Sequence, residues 1–208
     1  LRSQCARVDH PLRNSRQVFG ASVLDTEGVK HKQKKKLWSL GFNKNNIDQH
    51  LIDIVKNAVS DGFKYANSVD DLFLTCEYIP NKVVLEILGI KDLDPVAHYE
   101  KIKPIVNYLE YSLRTEDLSI AKEYVRSSLF SENNELFKEL TAKDREDELS
   151  LFLVAGSETT VIAMKILICL WATQYQKLKE NIQLHGLSEV IIAELIQDSP
   201  LGSITRYC

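Results

Sequence analysis

The most apolar region of this chain contains the stretch Leu151-Phe152-Leu153-Val154-Ala155-Gly156-Ser157-Glu158-Thr159-Thr160. Apolar residues continue on both sides at helical spacing, which predicts one long central helix. Within that helix, Gly156 and the threonines lower the helix propensity, and a buried Glu158 is costly unless it is paired or protonated. Such local conflicts are expected at functional sites. The stretch therefore favours a functional position over the alternative, a tolerated polar kink in a buried helix.

The composition is that of an ordinary globular protein. The 208 residues are 44% hydrophobic and 26% charged, with a formal net charge of −3. This overall charge indicates neither a nucleic-acid nor a membrane partner. The cysteines are scattered without a C-x-x-C pair, which argues against a disulfide framework and a zinc site and favours a reducing compartment. Residue 1 is Leu and the last residues read as an unfinished helix, so we expect a piece of something larger.

Helical periodicity dominates and period-two stretches are nearly absent, so we predict a mainly helical fold. The predicted helices cover residues 28–40, 47–63, 68–89 with an interruption at Pro80, 98–113, 121–130, 141–184 and 187–196. Residues 144–184 form the long central helix of a single partial domain that spans residues 1–208.

Residues 149–172 imitate a transmembrane span in length and apolarity. However, Glu158 and Lys165 lie near the middle, and each costs about 3 kcal/mol at the centre of a membrane helix. A fully buried central helix of a large soluble domain explains the pattern better.

The polar residues of the central helix have a common chemistry. Thr159 lies one turn after Ala155, so its hydroxyl can bond back to the Ala155 carbonyl, which loosens and bends a helix. Gly156 lowers the resistance to that bend and leaves room for a planar group or small ligand. Glu158 lies on the flank. A hydroxyl beside a carboxylate suits proton delivery to a bound group.

The stretch Ala155-Gly156-Ser157-Glu158-Thr159-Thr160 resembles the oxygen-activation motif of the cytochrome P-450 family, the heme-thiolate monooxygenases. Two more landmarks follow the family's order. Glu27-Gly28 with His31, Lys35, Lys36 and Phe42 resembles its basic helix, and Val69-Asp70 through Pro80 to Gly89-Ile90 resembles the helix that comes next. Trp171 and residues 177–182 resemble the segment after the motif. The resemblance spans residues 20–208, about the middle half of a typical member.

The resemblance implies the mostly helical central part of the cytochrome P-450 fold, with the sheet regions largely outside this chain. Heme (iron protoporphyrin IX) would lie against Ala155, Gly156 and Thr159. Thr159 would hydrogen-bond the dioxygen, and Glu158 would relay protons for O–O cleavage. His31 and Lys35 match positions that bind a heme propionate, where Lys replaces the usual Arg and gives a point charge without the bidentate fork.

The resemblance also implies the reaction and its partners. The whole protein would insert one oxygen atom of O2 into a small apolar substrate, with electrons that come ultimately from NAD(P)H. A ferredoxin, flavodoxin or reductase would deliver them and could dock on the basic run between Lys30 and Lys36. The alternative for Lys30, Lys32 and Lys34 is a solvated helix face. His31 favours a soluble, cytoplasmic, bacterial-type protein, and a membrane anchor before residue 1 stays open.

The sequence departs from the family in its metal ligand. The family's iron is bound by a Cys thiolate in a Phe-x-x-Gly-x-x-x-Cys-x-Gly loop, and neither that loop nor the Glu-x-x-Arg helix occurs in these residues. We therefore predict no metal ligand here, and no activity of this polypeptide by itself. The short spacing from His31 to Thr159 and the unusual Lys165 favour an alternative, a truncated, non-catalytic helical module or pseudoenzyme without heme that acts through partner binding. The preserved Glu158–Thr159 pair favours the enzyme.

Overall fold

The computed structural model describes residues 13–41, 48–64, 66–111, 116–128 and 137–186. These ranges are mainly helical, which confirms the predicted fold class, and they contain no strand. A short 3-10 turn, Val23–Asp25, lies between the first two helices. The helices are α1 (Asn14–Phe19), α2 (Gly28–Gly41), α3 (Gln49–Phe63), α4 (Val69–Ile87), α5 (Pro95–Tyr111), α6 (Glu116–Ser128) and α7 (Ala142–His185).

Several helix ends follow from the sequence. Ser68 begins α4 as predicted, because its hydroxyl accepts a hydrogen bond from the Asp71 backbone N–H at 3.1 Å. Asp48 caps α3 in the same way, with its carboxylate 2.9 Å from the Leu51 nitrogen. Gly89 follows α4 with a φ of 72°, a left-handed conformation that glycine adopts without steric cost. The predicted C-terminal stop of this helix is therefore confirmed.

Three features differ from the prediction. Pro80 does not interrupt its segment, since α4 runs through it and Pro80 is buried. Packing of α4 against its neighbours outweighs the missing proline N–H. The short helix α1 and the 3-10 turn carry too few residues for a periodic signal and were not predicted. The predicted helix over 187–196 and most of the loop after α2 lie outside the described residues.

The core forms where α4, α5 and α7 meet. Helix α4 packs against α3, α5 and α7, while α6 covers the other side of α5. The central side chains are almost fully buried: Leu85, Leu88, Ile102, Ile105, Tyr108, Leu153, Val154 and Val161.

Burial of the long helix α7 changes along its length. Residues Leu149, Leu151, Phe152, Leu153 and Val154 are buried, whereas most side chains from Ala155 onward are half-buried or exposed. By length and composition alone, the stretch Ala142–Gln174 could cross a membrane. Only 33% of its most apolar window is buried within the protein. The prediction of a fully buried central helix is therefore wrong for its second half.

Candidate functional site

The polar motif lies where exposed side chains first alternate with buried ones along the apolar part of α7. Ser157 is completely buried, and its hydroxyl donates to the carbonyls of Leu153 and Val154, both at 3.2 Å. The next residue, Glu158, is half-buried, and Thr159 and Thr160 are exposed. The motif therefore turns from core to surface within four residues.

The hydroxyls of the two threonines donate hydrogen bonds to backbone carbonyls of their own helix. Thr159 Oγ1 donates to the Ala155 carbonyl at 3.2 Å, which confirms the predicted back-bond. Thr160 Oγ1 makes the equivalent, longer contact with Gly156 at 3.5 Å. The backbone keeps helical angles at both positions, and the non-helical residue inside α7 is Gln174, with φ −130° and ψ 31°. The predicted bend at the motif is therefore wrong in position.

Gly156 faces helix α4 across a narrow gap. A Cβ built on it would lie 3.3 Å from Val84 Cγ2 and 3.4 Å from the Phe152 ring. Glycine thus allows α4 and α7 to approach closely here. The sequence predicts room for a ligand at Gly156, but Val84 fills the space on this side of the helix. The side of α7 that remains open is the one that carries Ala155 and Thr159.

Glu158 interacts with a tyrosine that sequence reasoning missed. Tyr99 on α5 is only 5% exposed. Burial raises the pKa of its phenol well above the ordinary range, and the negative charge of Glu158 and a hydrogen bond to it raise this pKa further. The phenol of Tyr99 therefore keeps its proton beside the negatively charged Glu158.

Lys165, whose charge is unusual in an apolar helix, has a partner. Its Nζ lies 2.5 Å from the Glu77 carboxylate on α4. The same ammonium lies 5.8 Å from the centroid of the Tyr99 ring and 6.0 Å from that of Phe73. An isolated charge of opposite sign on each of two apolar helices was the signal for this pair, but sequence spacing does not say which helices pack together.

The basic helix α2 packs beside the first half of α7 through Lys34. This side chain is 1% exposed, and its ammonium lies 2.8 Å from Glu148 and 3.1 Å from Asp144. Lys30 also reaches Asp144, at 2.8 Å. The prediction of a solvated face is therefore wrong for Lys34 and holds for the exposed Lys32.

The same interface holds a hydrogen bond between the half-buried Trp38 and the buried Glu148. Trp38 Nε1 donates to the second oxygen of Glu148 at 2.7 Å, and Glu148 is fully buried. The Trp38 ring also contacts Phe137 and Phe152, with centroids 5.1 and 6.0 Å apart. This contact fixes α2 against α7.

The two predicted propionate-binding residues lie on the outer side of α2. His31 is half-buried, and its Nδ1 donates to the Val23 carbonyl at 2.9 Å, while Lys35 is exposed. Glu148, which anchors α2, precedes Thr159 by eleven residues, or roughly 16 Å of helix. The structure therefore brings α2 to the first half of α7 and leaves Thr159 further along the helix.

Other candidate sites lie away from the motif. A groove of about 400 Å³ is bordered by Asp61, Thr75 and Tyr78, and one of about 390 Å³ by Lys36 and Leu140. Neither of these two is lined by Glu158 or Thr159. Within the described ranges, no group of three His, Cys, Asp or Glu side chains is placed to hold a metal ion. Cys76 is a buried thiol with a raised pKa caused by that burial, and Cys169 is exposed.

A scan against protein-family models gives no match for this chain. A search of curated proteins gives no match either.

Proposed function

We propose that this chain is the central part of a heme-dependent monooxygenase that resembles the cytochrome P-450 family. The observation that carries the proposal is the arrangement at Thr159. An exposed hydroxyl is bonded back to Ala155, one residue after a half-buried carboxylate, inside the longest helix of the mainly helical described ranges. The resemblance implies such a pairing of a hydroxyl with a neighbouring carboxylate in an oxygen-activation motif.

The residues on the open edge of α7 fit a flat apolar group. Ala155 is small and half-buried, Thr159 is exposed, and Ile162 and Ile166 extend the same stripe. His31 uses its Nδ1–H for the Val23 carbonyl, so it would bind a propionate only as the doubly protonated ring, whose Nε2–H can also donate. The exposed Lys35 could reach the same propionate.

In this proposal Thr159 and Glu158 have different roles in proton delivery. Heme, when bound, supplies the redox chemistry of dioxygen with a small apolar substrate. Thr159 offers a hydroxyl whose bond to Ala155 is long enough, at 3.2 Å, to be exchanged for one to a ligand. Glu158 is half-buried and adjacent to Thr159 in sequence, so in this proposal its carboxylate would take up a proton and pass it toward Thr159.

Electrons would enter from a redox partner, and ultimately from NAD(P)H. On the basic run of α2, Lys32, Lys35 and Lys36 are exposed, whereas Lys30 and Lys34 are committed to Asp144. Lys32 and Lys36, which the proposal does not assign to heme, would form the surface for an acidic ferredoxin, flavodoxin or reductase domain. A cytoplasmic location belongs to the same proposal.

The test uses the natural protein that contains these residues. Its absorption spectrum, reduced and under carbon monoxide, distinguishes thiolate-ligated heme from heme held by other ligands. The proposal predicts the thiolate type, together with a Glu-x-x-Arg segment and a Cys-containing loop in the native transcript beyond the codon for Cys208. A natural protein without heme would refute the proposal.

The second candidate is a non-catalytic helical module that acts through partner binding. Two contacts favour it, because they give structural reasons for unusual motif-helix residues. Gly156 lies where Val84 of α4 packs closely against α7, and Lys165 is paired with Glu77. A stop codon directly after Cys208 would favour this candidate over the enzyme.

A further inference from the structure

We propose that the hydrogen bond between His98 of α5 and Tyr124 of α6 makes the docking of α6 sensitive to acid, so that α6 separates from α5 as the pH falls below neutral. The bond joins Nδ1 of His98 to the Tyr124 hydroxyl at 2.7 Å, and the centroids of the two rings lie 5.6 Å apart. Both residues lie on helices other than α7, so this pH sensitivity does not depend on heme or on the motif helix.

The surroundings of His98 suit a neutral ring. His98 is 1% exposed, and within the described ranges its Nε2 is buried without a hydrogen-bond partner. The protonated ring carries two N–H groups, and both of them need acceptors. The Tyr124 hydroxyl can accept from Nδ1, but no described group accepts from Nε2. Protonation would therefore leave a charged N–H unpaired in the core, which is costly.

A positive charge near His98 adds to this cost. Lys101, about one turn further along α5, has its ammonium 4.7 Å from the centroid of the Tyr124 ring. Burial and, to a lesser extent, the Lys101 charge lower the pKa of His98 from 6.5 to about 4. At the start of α5, the Asp94 carboxylate accepts a hydrogen bond from the Ala97 backbone N–H at 2.7 Å and does not offset that shift.

Several charged groups on the elements around α5 have partners of their own. These pairs are Lys82 with Glu86 within α4 at 2.9 Å, Lys122 of α6 with the Gln17 carbonyl of α1 at 2.6 Å, and Arg126 of α6 with Glu146 of α7 at 3.3 Å. Among the described residues, no carboxylate raises the pKa of His98. Because histidine is the side chain that ordinarily changes charge between pH 5 and 8, His98 is the group that would make this junction pH-dependent.

Helix α6 is the element that can give way. It packs mainly against α5 and only lightly against α7, and the fully buried apolar side chains in its described part are Ala121 and Val125. Local separation of such an element costs less free energy than unfolding of the whole protein. Once α6 has separated, His98 meets water and binds a proton near its ordinary pKa. The stabilisation of the docked state is therefore complete above pH 6.5 and is lost as the pH falls toward 4.

The experiment measures backbone hydrogen exchange of residues 116–128 in the natural protein by mass spectrometry, corrected for the intrinsic pH dependence of exchange. We expect the protection of these amides to fall about 30-fold from about pH 7.5 to about pH 5, the change that follows from a pKa of 6.5 in the separated state and about 4 in the docked state. Protection that does not fall in this range would overturn the proposal.

Two variants assign the fall in protection to one histidine. His98→Gln removes the group that titrates, so most of the fall should disappear. His50→Gln removes an exposed histidine on α3 and should leave the fall as it is in the unaltered protein. A full fall in both variants would overturn the role of His98.

A second measurement covers the case in which His98→Gln does not fold. In the unaltered natural protein, the rate at which the Cε1 hydrogen of the His98 ring exchanges with solvent reports the protonation of that ring as the pH is varied. We expect the His98 ring to titrate well below pH 6.5. Titration at pH 6.5 or above would mean that the docked state accepts the protonated ring, which would overturn the proposal.

Discussion

Helix α7 divides at Ala155 into residues 142–154 and the residues from Ala155 onward, which we call its first and second halves. The carboxylates of the first half and the threonines of the second half satisfy their polar groups in opposite ways. In the first half, Asp144, Asp147 and Glu148 point into an interface and bond groups of other segments. Lys34 bonds Asp144 and Glu148, and the Ala21 backbone N–H donates to Asp147 at 2.8 Å. In the second half, Thr159 and Thr160 are exposed and bond only carbonyls of their own helix among the hydrogen bonds described.

This difference distinguishes polar side chains that hold the fold together from polar side chains that can still bind a ligand. A buried charge must be matched by another segment, and once matched it cannot serve a ligand. A threonine that bonds its own helix keeps its outer lone pairs free for an incoming group. The acidic residues of the first half therefore hold the fold, and the hydroxyls of the second half are the better candidates for chemistry.

The largest effect is expected from Lys34→Met, which leaves Glu148 and Asp144 without their buried cation. Breaking a buried pair by removing one partner costs about 3–5 kcal/mol of the free energy of unfolding. Urea denaturation measures this loss. Lys35→Met, on the exposed side of the same helix, should change stability by about 0.5 kcal/mol or less. Equal losses in the two variants would contradict the structural role of the first half.

Gly20→Ala tests the structural role of Asp147, another acidic residue in the first half of α7. Gly20 has a φ of 68°, and an added Cβ would lie 2.4 Å from an Asp147 oxygen. We expect a loss of about 2–3 kcal/mol from backbone strain and from displacing that carboxylate. Gly28→Ala is the matched control, because its φ is 65° and nothing lies within 4 Å of the added carbon. Its smaller loss measures the strain alone, so identical losses would remove Asp147 from the interface.

The pH dependence of the free energy of unfolding should reveal the stabilising contribution of the ionised Asp144 carboxylate. Burial raises the pKa of this carboxyl, but the hydrogen bonds from Lys30 and Lys34 outweigh that effect and hold its pKa at about 2. Because the folded pKa lies below the unfolded value of 3.8, the ionised form stabilises the fold above pH 3.8. That stabilisation is lost as the pH falls toward 2. Asp144→Asn should flatten this part of the pH–stability curve, and an unaltered curve would argue against the Lys30 and Lys34 contacts.

The smallest effect on stability is expected in the second half. Thr159→Val and Thr160→Val each remove an exposed hydroxyl and a long back-bond, so each should change the free energy of unfolding by about 0.5 kcal/mol or less. Thermal unfolding checks this. A loss above about 2 kcal/mol in Thr159→Val would mean that its hydroxyl is structural, which would remove the contrast between the halves.

The fold was largely predictable, because long amphipathic periods, the Ser68 cap and the Gly89 stop are local signals. The continuity of α4 through Pro80 was not, since tertiary packing decided it. In the site, the back-bond of Thr159 to Ala155 follows from helical spacing. The partners of Glu158, Lys165 and Lys34 do not, because they depend on which helix faces which.

Heme content of the natural protein, determined for two bulky substitutions on α7, tests the central claim most directly. Thr159→Phe would cover the open edge beside Ala155, whereas Thr173→Phe adds the same ring at another exposed threonine, one that also bonds back to its own helix, at Cys169. The account predicts that heme is lost in Thr159→Phe and retained in Thr173→Phe. Full heme content in both variants would contradict the assignment of the second half of α7 as the heme face.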